Sequence, residues 1–579
     1  MFGKVLIANR GEISIRIVRA LREMGVTSVA VYSDPDREAL HTSLADEAYH
    51  IGPAPATESY LNVEKLIEVA RKSGAEAVHP GYGFLAESAA FARVVEEAGL
   101  VWIGPHPRAI EAMGSKVESR RIMAKAGVPL VPGTRDAIAS AKQVSLFGEE
   151  HGFPVAVKAS AGGGGKGFAV AGDASEATSA FERASREGEA YFGDGSVYVE
   201  KYLSAPRHVE IQVVRDRQGN AVHLGERDCS IQRRHQKLIE ECPSPAIDPA
   251  MREAMGEAAL AAAEAVAYDN VGTVEFLVEK GDATGEFYFL EMNTRVQVEH
   301  PVTEEVTGID IVKTGIRIAA DEELPFSQQD ISWRGHAIEV RLNAEDPSND
   351  FAPSPGVVTA YEEPGGPGIR VDSSLRGPGV VAESYDPLFA KLIVSGVDRE
   401  EALARLERAL AEFRVEGIST TLPFYRAVLD DKTFVSGNYT TGYIAGRMQS
   451  LKIQPATTSE TGEAYRKSAR EVEIEVNGKL FRVRMFGEED ATGGPPRRRR
   501  GETRRASTSE GAVRAPMQGT IVKVLVEEGQ EVAADEPVCI LEAMKMESEV
   551  RSQKAGTVSE VSVEAGQTVS SGETLISVE

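Results

Sequence analysis

The sequence predicts an α/β multidomain protein that ends in a small all-β domain. Strand-like apolar runs alternate with helical segments over residues 4–103, which is typical of a mostly parallel sheet. Near the C-terminus, Gly519-Thr520 and residues 526–532 recur 37 positions later as Gly556-Thr557 and residues 563–569. Such an internal repeat predicts a β domain built from two similar halves. The 579 residues provide for about three to five domains.

Composition excludes several classes of protein. A hydrophobic content of 42% is ample for sizeable cores. The net charge of −25 argues against nonspecific binding to nucleic acid or to an anionic membrane surface. The three cysteines are widely spaced, which fits a reducing compartment and no zinc site. Because no apolar run reaches about 18 residues, we expect a soluble, cytoplasmic protein.

Residues 1–114 are predicted to form a Rossmann-like domain. Strands are expected at residues 4–8, 29–32, 75–78 and 100–103, and helices at residues 12–24, 60–72 and 87–98. No Gly-x-Gly-x-x-Gly follows the first strand, so we predict no dinucleotide site.

Four consecutive glycines, Gly162–Gly165, follow a strand predicted at Pro154–Ala159. Such a run suits neither a helix nor a strand interior because ordering glycine costs too much entropy. Its backbone amides can approach a phosphate closely, and Lys158 and Lys166 flank it. A flexible linker is the alternative interpretation. The spacing is not that of a P-loop, since Phe168 stands at the hydroxyl position.

Two carboxylates are predicted to face each other across a hairpin. Glu275 and Glu291 lie in predicted strands on either side of a turn-rich segment, and they pair if the hairpin is centred on Ala283. Like charges placed opposite each other destabilise a sheet, so the pair favours a bound hard cation such as Mg²⁺. Asn293 would supply a further oxygen from the same face.

The segment that follows alternates polar and apolar residues. The polar positions are Glu291, Asn293, Arg295, Gln297 and Glu299. A period of two places them on one face of an extended chain, although a surface strand could show the same alternation.

A basic cluster precedes this hairpin. Five basic or imidazole groups occur between Arg227 and Lys237. A solvated positive patch is one interpretation. In so acidic a chain, anionic ligands need local positive groups, which favours stabilisation of phosphate and oxyanions.

The remaining stretches before the duplicated domain have plainer patterns. Residues 335–445 hold predicted strands such as His336–Leu342 and a helix at residues 399–413. Glu471–Met485 predicts a hairpin that turns at Asn477-Gly478, for which we assign no function. Gly487–Gly511 includes an arginine run and is typical of a flexible tether, with nucleic-acid binding as the weaker alternative.

Lys545 lies at the join of the two C-terminal repeats, within the motif Glu-Ala-Met-Lys-Met. A turn at this join would carry it into solvent. An ordinary exposed lysine would need neither the repeat nor the flanking methionines. The motif in a duplicated β domain resembles a biotin carboxyl carrier, of biotinyl/lipoyl-like fold, which implies that Lys545 is biotinylated. A lipoyl-type carrier is the alternative, but the methionines favour biotin.

Residues 1–445 resemble biotin carboxylase, which has an ATP-grasp fold. The matching motifs are Ala-Asn-Arg-Gly-Glu-Ile (8–13), His-Pro-Gly-Tyr-Gly-Phe-Leu-Ala-Glu (79–87), the glycine-rich loop, and residues 226–237, 291–301 and 341–347. The resemblance implies an N-terminal domain at 1–114, an ATP-grasp domain at 115–330, a C-terminal α+β domain at 331–445, a hairpin segment and linker at 446–511, and the carrier at 512–579. Taken whole, the chain resembles the α subunit of a bacterial, actinobacterial-type acetyl-/propionyl-CoA carboxylase.

The resemblance also implies residue roles. ATP would be surrounded by Lys116, Lys158, Gly164, Gly165, Glu200, Lys201, Leu203, His208, Gln232 and His235. Glu275, Glu291 and Asn293 would hold Mg²⁺ (or Mn²⁺), and Lys237, Arg295 and the backbone of Val298 would bind bicarbonate. Glu299 would deprotonate bicarbonate, and Arg341 would stabilise the biotin enolate. Because a carboxylate is a weak base in water, we expect Glu299 in a partly desolvated site.

The implied reaction is ATP- and bicarbonate-dependent carboxylation of biotin on Lys545 through carboxyphosphate. We find no carboxyltransferase domain in the chain, so we expect the acyl-CoA acceptor on a separate carboxyltransferase β subunit. Biotin protein ligase would attach the cofactor, and a homo-oligomer within a larger complex is expected, without nucleic acid or membrane. The alternatives are a carrier and assembly module with an inactive ATP-grasp region, or an acceptor such as pyruvate, urea or another acyl-CoA.

Overall fold

A computed structural model describes residues 1–134, 136–160, 167–192, 194–234, 236–279, 286–453, 469–476, 479–486, 512–515, 519–543, 546–569 and 572–578. The predicted roles of Gly164, Gly165, His235 and Lys545 fall outside these residues, as do the side chain of Lys116 and the predicted tether at 487–511. None of the described helices has the length and apolar character needed to cross a membrane.

The N-terminal residues form the predicted alternation of strands and helices. The strands are Lys4–Ile7 (β1), Thr27–Ser33 (β2), Glu47–Gly52 (β3), Ala77–His79 (β4) and Val101–Trp102 (β5), and the helices are Gly11–Glu23 (α1), Leu40–Leu44 (α2), Val63–Ser73 (α3), Ala89–Glu97 (α4) and Pro107–Gly114 (α5). The strands pair in parallel in the order β3-β2-β1-β4-β5. Val5, Leu6 and Ile7 are fully buried, as expected of a parallel sheet covered on both faces.

A small antiparallel sheet follows. Its elements are Lys116–Lys125 (α6), Ala141–His151 (α7), Val155–Ala159 (β6), Phe168–Ala171 (β7), Ala177–Phe192 (α8) and Val197–Lys201 (β8). The order is β7-β6-β8, and the strand predicted at Pro154–Ala159 is confirmed as β6. Helix α8 packs against β6 and β7 and buries Ala180 and Ala184.

A long antiparallel sheet occupies the middle of the chain. This region contains Arg207–Arg215 (β9), Ala221–Arg233 (β10), Gln236–Cys242 (β11), Pro249–Ala265 (α9), Asn270–Val278 (β12), Phe287–Asn293 (β13), His300–Thr307 (α10), Ile311–Ala319 (α11), His336–Asn343 (β14), Glu345–Asp346 (β15), Ala352–Pro353 (β16), Gly356–Val358 (β17), Ala360–Glu362 (β18), Ile369–Ser373 (β19), Gly379–Val381 (β20), Leu388–Gly396 (β21), Arg399–Glu412 (α12), Arg414–Glu416 (β22), Leu422–Leu429 (α13), Lys432–Val435 (α14) and Tyr443–Arg447 (α15). The sheet order is β13-β12-β9-β10-β11-β14-β21-β19. Because β11 pairs with β14, the sheet takes strands from both sides of the predicted division at residue 330.

The two faces of this sheet differ in chemistry. Along β9, Val209, Ile211 and Val213 are buried in an apolar cluster that includes α9. The intervening Glu210 and Gln212 are also fully buried, and they belong to the opposite face by strand alternation. Helix α10 packs across β10, β11, β14 and β21. Along β9, one face is therefore apolar and the other is buried and polar, and the polar face carries residues predicted to be catalytic.

The C-terminal residues confirm the duplication. The strands are Ala469–Val476 (β23), Lys479–Phe486 (β24), Ala512–Arg514 (β25), Gly519–Val524 (β26), Glu531–Val532 (β27), Pro537–Ala543 (β28), Met546–Arg551 (β29), Gly556–Val561 (β30), Thr568–Val569 (β31) and Thr574–Val578 (β32). Strands β26, β27 and β28 begin 37 residues before β30, β31 and β32. The two sheets, β25-β32-β30-β27 and β29-β28-β26-β31, interchange under this repeat. Lys545 follows β28, which ends at Ala543, and precedes β29.

Candidate active site

The predicted pairing of Glu275 with Glu291 is confirmed. These residues are direct partners in the antiparallel pair of β12 and β13. The register shifts next to them, because Phe276 pairs with Phe289 and leaves Leu290 as an extra residue in β13. Such a bulge keeps Phe289 and Met292 in one apolar core although their spacing is odd. Glu291 thereby stays opposite Glu275 on the polar face.

The prediction of one extended face through Glu299 is wrong beyond Asn293. Strand β13 ends at Asn293, and Glu299 is the N-cap residue of α10, with φ −81° and ψ 8°. The chain turns because His300-Pro301 starts the helix, where proline fits the first turn. The side chains still converge, since Arg295 Nη2 donates to Asn293 Oδ1 (3.1 Å) and Arg295 Nη1 donates to Gln297 Oε1 (2.8 Å).

Lys237 is the centre of a buried carboxylate cluster. Its Nζ donates to Glu210 Oε2 (2.5 Å), Glu275 Oε1 (2.9 Å) and Glu299 Oε1 (2.6 Å). Each of these carboxylates comes from a different element, namely β9, β12 and the start of α10. A register shift around Leu238 in β11 brings Lys237 onto the polar face. The predicted bicarbonate ligand and the predicted base are thus in direct contact.

Arg341 approaches the same base from β14. Its Nη2 donates to Glu299 Oε2 (3.0 Å), and its Nε donates to Glu240 Oε1 (2.6 Å). The backbone of Arg341 is fixed as well, because Thr421 Oγ1 and the Tyr425 hydroxyl donate to its carbonyl. Glu299 therefore has a cation on each carboxylate oxygen.

These contacts set the protonation of the site. Burial would raise the pKa of Glu299, but Lys237, Arg341 and Arg227 together hold it well below its usual range. Burial would lower the pKa of Lys237, yet its carboxylate neighbours raise it well above normal. The expectation of a partly desolvated Glu299 is met by its complete burial. Its basicity is nevertheless lowered in this arrangement, because the cations favour the charged form more than burial disfavours it.

The cross-strand pair of Glu275 and Glu291 fits a divalent cation. Two carboxylates directly opposite each other are the donor chemistry that Mg²⁺ favours. His208 Nε2 lies 2.7 Å from Glu275 Oε2, and Lys237 takes the other oxygen. Burial would raise the pKa of Glu275, but Lys237 and His208 lower it below its ordinary value, so this carboxylate remains charged.

The residues predicted to surround ATP whose side chains are described lie in or just after the strands of the small sheet and in strands β9 and β10 of the long sheet. Lys158 in β6 forms an ion pair with Glu200 in β8, and Lys201 Nζ donates to Glu279 Oε2 (2.6 Å). Leu203 is buried in a small apolar cluster with Val131 and Tyr288. Gln232 in β10 pairs directly with Lys237 in β11. His208 alone among these predicted ATP ligands contacts the carboxylate cluster in the described part of the chain.

The basic cluster is only partly an anion site. Arg227 is fully buried, and its guanidinium donates to Glu210, Gln212 and two threonines. Its charge is therefore already satisfied inside the polar face. Arg233 and Arg234 both form ion pairs with Asp350. Lys237 is thus the member of the cluster that the described structure places among the predicted catalytic residues.

Several contributing residues escaped the sequence reasoning. Glu210, Glu240 and Lys391 each contact a predicted site residue, and Glu87 Oε2 accepts from Arg295 Nε (2.9 Å). One signal was available for Glu210. In the sequence, polar residues at 208, 210 and 212 alternate with apolar residues, and the structure shows that both kinds are buried. Buried polar residues at that spacing indicate a second, polar interior face.

Comparison with known proteins agrees with this architecture. Residues 1–110 match the family described as "Biotin carboxylase, N-terminal domain", residues 115–327 match "Carbamoyl-phosphate synthase L chain, ATP binding domain", residues 339–446 match "Biotin carboxylase C-terminal domain" and residues 511–578 match "Biotin-requiring enzyme".

Individual relatives align over nearly the whole chain or over about three quarters of it. The biotin-dependent acyl-coenzyme A carboxylase alpha3 subunit of Mycobacterium leprae is 47% identical and aligns over 94% of this chain and 93% of its own. A pyruvate carboxylase subunit of Methanothermobacter thermautotrophicus is 52% identical over 77% of this chain and 90% of its own. The biotin carboxylase domain of Hydrogenobacter thermophilus 2-oxoglutarate carboxylase, solved with MgADP, ADP and bicarbonate, superposes with a TM-score of 0.71 at 47% identity, over 77% of this chain and 98% of that one.

Fold, site and relatives together define an ATP-dependent ligase with its own carrier domain. The chain belongs to the biotin carboxylase family, in the form that joins the carboxylase to a biotin carrier domain on one polypeptide. Its cofactors are ATP and covalently bound biotin.

Proposed function

We propose that residues 1–445 carboxylate biotin held on Lys545 of the same chain, with ATP and bicarbonate as substrates. One observation carries the proposal most directly. The two oxygens of the buried Glu299 carboxylate are each bound by a fixed cation, Lys237 Nζ at 2.6 Å and Arg341 Nη2 at 3.0 Å. A base between two cations suits an anionic substrate that must be bound and deprotonated at one place.

Bicarbonate would bind between Lys237 and Arg295, beside the backbone of Val298. The bound anion would share Lys237 with Glu299, so Glu299 would lose part of the stabilisation that keeps its pKa low. Its basicity would then rise as the substrate binds. The deprotonated bicarbonate oxygen would attack the γ-phosphorus of ATP, giving carboxyphosphate and ADP. Arg341 would supply a permanent charge beside the ureido group of biotin.

Glu275, Glu291 and Asn293 would hold Mg²⁺ or Mn²⁺. When bound, the ion supplies charge neutralisation at the transferring phosphoryl group. Lys158, Glu200, Lys201, Leu203, His208 and Gln232 would line the nucleotide site, with Lys116, Gly164, Gly165 and His235 completing it. The ion pair of Lys158 with Glu200 keeps that ammonium in place before ATP arrives.

We further propose that carboxybiotin passes to an acyl-CoA, acetyl-CoA or propionyl-CoA, on a separate carboxyltransferase subunit. The Mycobacterium leprae relative, which aligns along nearly the whole chain, is an acyl-coenzyme A carboxylase subunit. Two relatives that align over 77% of the chain are named for pyruvate and 2-oxoglutarate carboxylases, and another with the same coverage is named only as a biotin carboxylase. Biotin protein ligase would modify Lys545, and the carboxylase would work as a homo-oligomer within the complex. The domain division at 1–114, 115–330, 331–445, 446–511 and 512–579 belongs to this proposal.

The test measures bicarbonate-dependent ATP cleavage with free biotin. Glu299→Gln should lower the turnover about 100- to 10,000-fold, because the base is removed while the shape is kept. Glu253→Gln, which changes an exposed glutamate, should stay within about twofold of the unmodified chain. Full activity in Glu299→Gln would contradict the assigned base. An unmodified chain that cleaves no ATP would contradict the carboxylase function.

A further inference from the structure

Two motifs of the N-terminal domain contact each other next to the site. Asn9 Nδ2 donates to the carbonyls of Pro80 and Tyr82, both at 2.7 Å. The Tyr82 hydroxyl donates to Glu12 Oε1. Residues 8–13 and residues 79–87 are thus joined in one hydrogen-bonded unit. No step proposed above uses it.

This unit reaches the site through a buried lysine. Lys391 in β21 is 0% exposed, and its Nζ lies 3.3 Å from Glu12 Oε1. The same ammonium donates to the backbone carbonyl of Val298 (2.8 Å). That carbonyl belongs to the peptide between Val298 and Glu299, so Lys391 holds the backbone immediately before the base. Asp372 Oδ2 is a more distant neighbour, at 3.9 Å.

The arrangement is costly for a purely structural contact. Buried charges lose hydration, and an apolar pair of similar volume holds two elements together at least as well. Glu12 Oε2 is buried without a hydrogen-bond partner among the described residues, so even the carboxylate is incompletely satisfied. What an apolar pair cannot do is donate to the carbonyl of Val298. The lysine is therefore required for that bond, and Glu12 and Asp372 are the acidic groups closest to its charge.

We propose that Lys391 and Glu12 are positioning residues, which fix the Val298–Glu299 peptide and so aim the Glu299 carboxylate at bicarbonate. The inference rests on the proposed role of Glu299 as the base. Nucleotide binding depends on other elements, so the effect falls on bicarbonate. A small displacement of a reacting group costs up to about 100-fold in rate, which sets the expected scale.

The test compares Lys391→Met, Lys391→Arg and the double variant Glu12→Gln/Lys391→Met in ATP cleavage with free biotin. Lys391→Met should raise the KM for bicarbonate and lower kcat, each about tenfold or more, with the KM for ATP within about twofold. Lys391→Arg keeps a donor for the Val298 carbonyl and should recover at least half of the lost kcat. Lys432→Met, on an exposed lysine of α14, is the matched control.

The double variant separates positioning from stability. The double variant removes both members of the Glu12–Lys391 pair, whereas Lys391→Met leaves Glu12 buried without its lysine. The double variant should therefore have a higher midpoint temperature of unfolding than Lys391→Met. Its bicarbonate KM should remain raised, because the bond to Val298 is still absent. A folded double variant with unmodified bicarbonate KM and kcat would overturn the inference, as would an equal rise in both KM values. Inactivity of the unmodified chain would instead count against the proposed function itself.

Discussion

At the residue scale, neighbouring buried carboxylates take different charge states according to their partners. Glu240 and Glu241 are adjacent in β11 and both fully buried. Burial raises the pKa of Glu240 to about 7. Arg341 opposes this shift only in part, because the same guanidinium also binds Glu299. Burial also acts on Glu241, but hydrogen bonds from His336 and Arg399 lower its pKa to about 2. Glu241 is therefore charged at neutral pH.

Glu241→Gln should lower the free energy of unfolding at pH 7 by about 3 kcal/mol. The pKa of Glu241 is below its unfolded value, so its contribution is complete above about pH 4.5 and is lost as pH falls towards about 2. The variant should therefore lose less stability than the unmodified chain between pH 4.5 and 3. Urea unfolding followed by tryptophan emission measures this, with Glu253→Gln as the exposed control. Parallel pH profiles of Glu241→Gln and the unmodified chain would contradict the assignment.

Residue identities in the site were predictable where a motif or a local register carried them. Glu275 and Glu291 could be paired by assuming a hairpin centred on Ala283, although Val278↔Phe287 and Phe276↔Phe289 follow a register one residue shorter and the extra Leu290 restores the predicted pair. Lys391 and Glu12 could not, because their contact joins two domains and neither residue type is unusual in its own segment. Glu299 was predicted as the base from its motif, but its lowered pKa depends on cations from three other strands.

At the element scale, the pairing of β14 with β21 sets the position of Arg341. Arg341 and Lys391 are direct cross-strand partners. The pair begins where Gly335, with φ +73°, precedes β14. A Cβ at Gly335 would overlap the carbonyl oxygen of Gly396 at the end of β21. This glycine therefore permits the close approach of the two strands.

Gly335→Ala should lower the free energy of unfolding by about 3 kcal/mol, from backbone strain and the clash together. Gly377 has a similar φ of +85° with open space around its Cβ, so Gly377→Ala should cost only about 1 kcal/mol. Thermal unfolding of both variants gives the comparison. Equal losses of unfolding free energy in the two variants would show that the contact with the Gly396 carbonyl adds no cost at residue 335.

Strands and helices were predicted better than their irregularities. Helix α12 and strand β14 match the predicted segments closely because their periodicities are regular. The extra residues Leu238 and Leu290 were not foreseen, since a bulge leaves the polar and apolar alternation only slightly changed. Each bulge lies beside a residue of the proposed site, Lys237 in one case and Glu291 in the other.

At the scale of the whole molecule, the proposed catalytic residues and the proposed biotin-attachment residue lie far apart in the sequence. Of the proposed catalytic residues, Lys237 and Arg341 lie in the long sheet and Glu299 at the start of α10, whereas Lys545, the proposed attachment site, falls between β28 and β29 in the sequence. The predicted tether, Gly487–Gly511, separates them in sequence. If flexible, its 25 residues span roughly 25–30 Å on average and reach about 80–90 Å when extended.

Shortening residues 487–511 to about five residues should slow transfer of the carboxyl group to the acyl-CoA acceptor, because the carrier must reach two sites. Carboxylation of free biotin should remain within about twofold, since the catalytic residues are untouched. Replacing the segment by a glycine-serine sequence of the original length is the control. Equal loss of both activities would refute a tethering role.

The central claim is that one chain carboxylates the biotin on its own Lys545. The most direct measurement supplies the biotinylated chain with ATP, Mg²⁺ and radiolabelled bicarbonate and counts the label retained on the protein. The unmodified chain should be labelled, whereas Lys545→Arg should carry no label yet still cleave ATP with free biotin. Glu299→Gln should be biotinylated, by intact mass, and remain unlabelled. Label retained by Lys545→Arg, or a fully biotinylated unmodified chain without label, would contradict the claim.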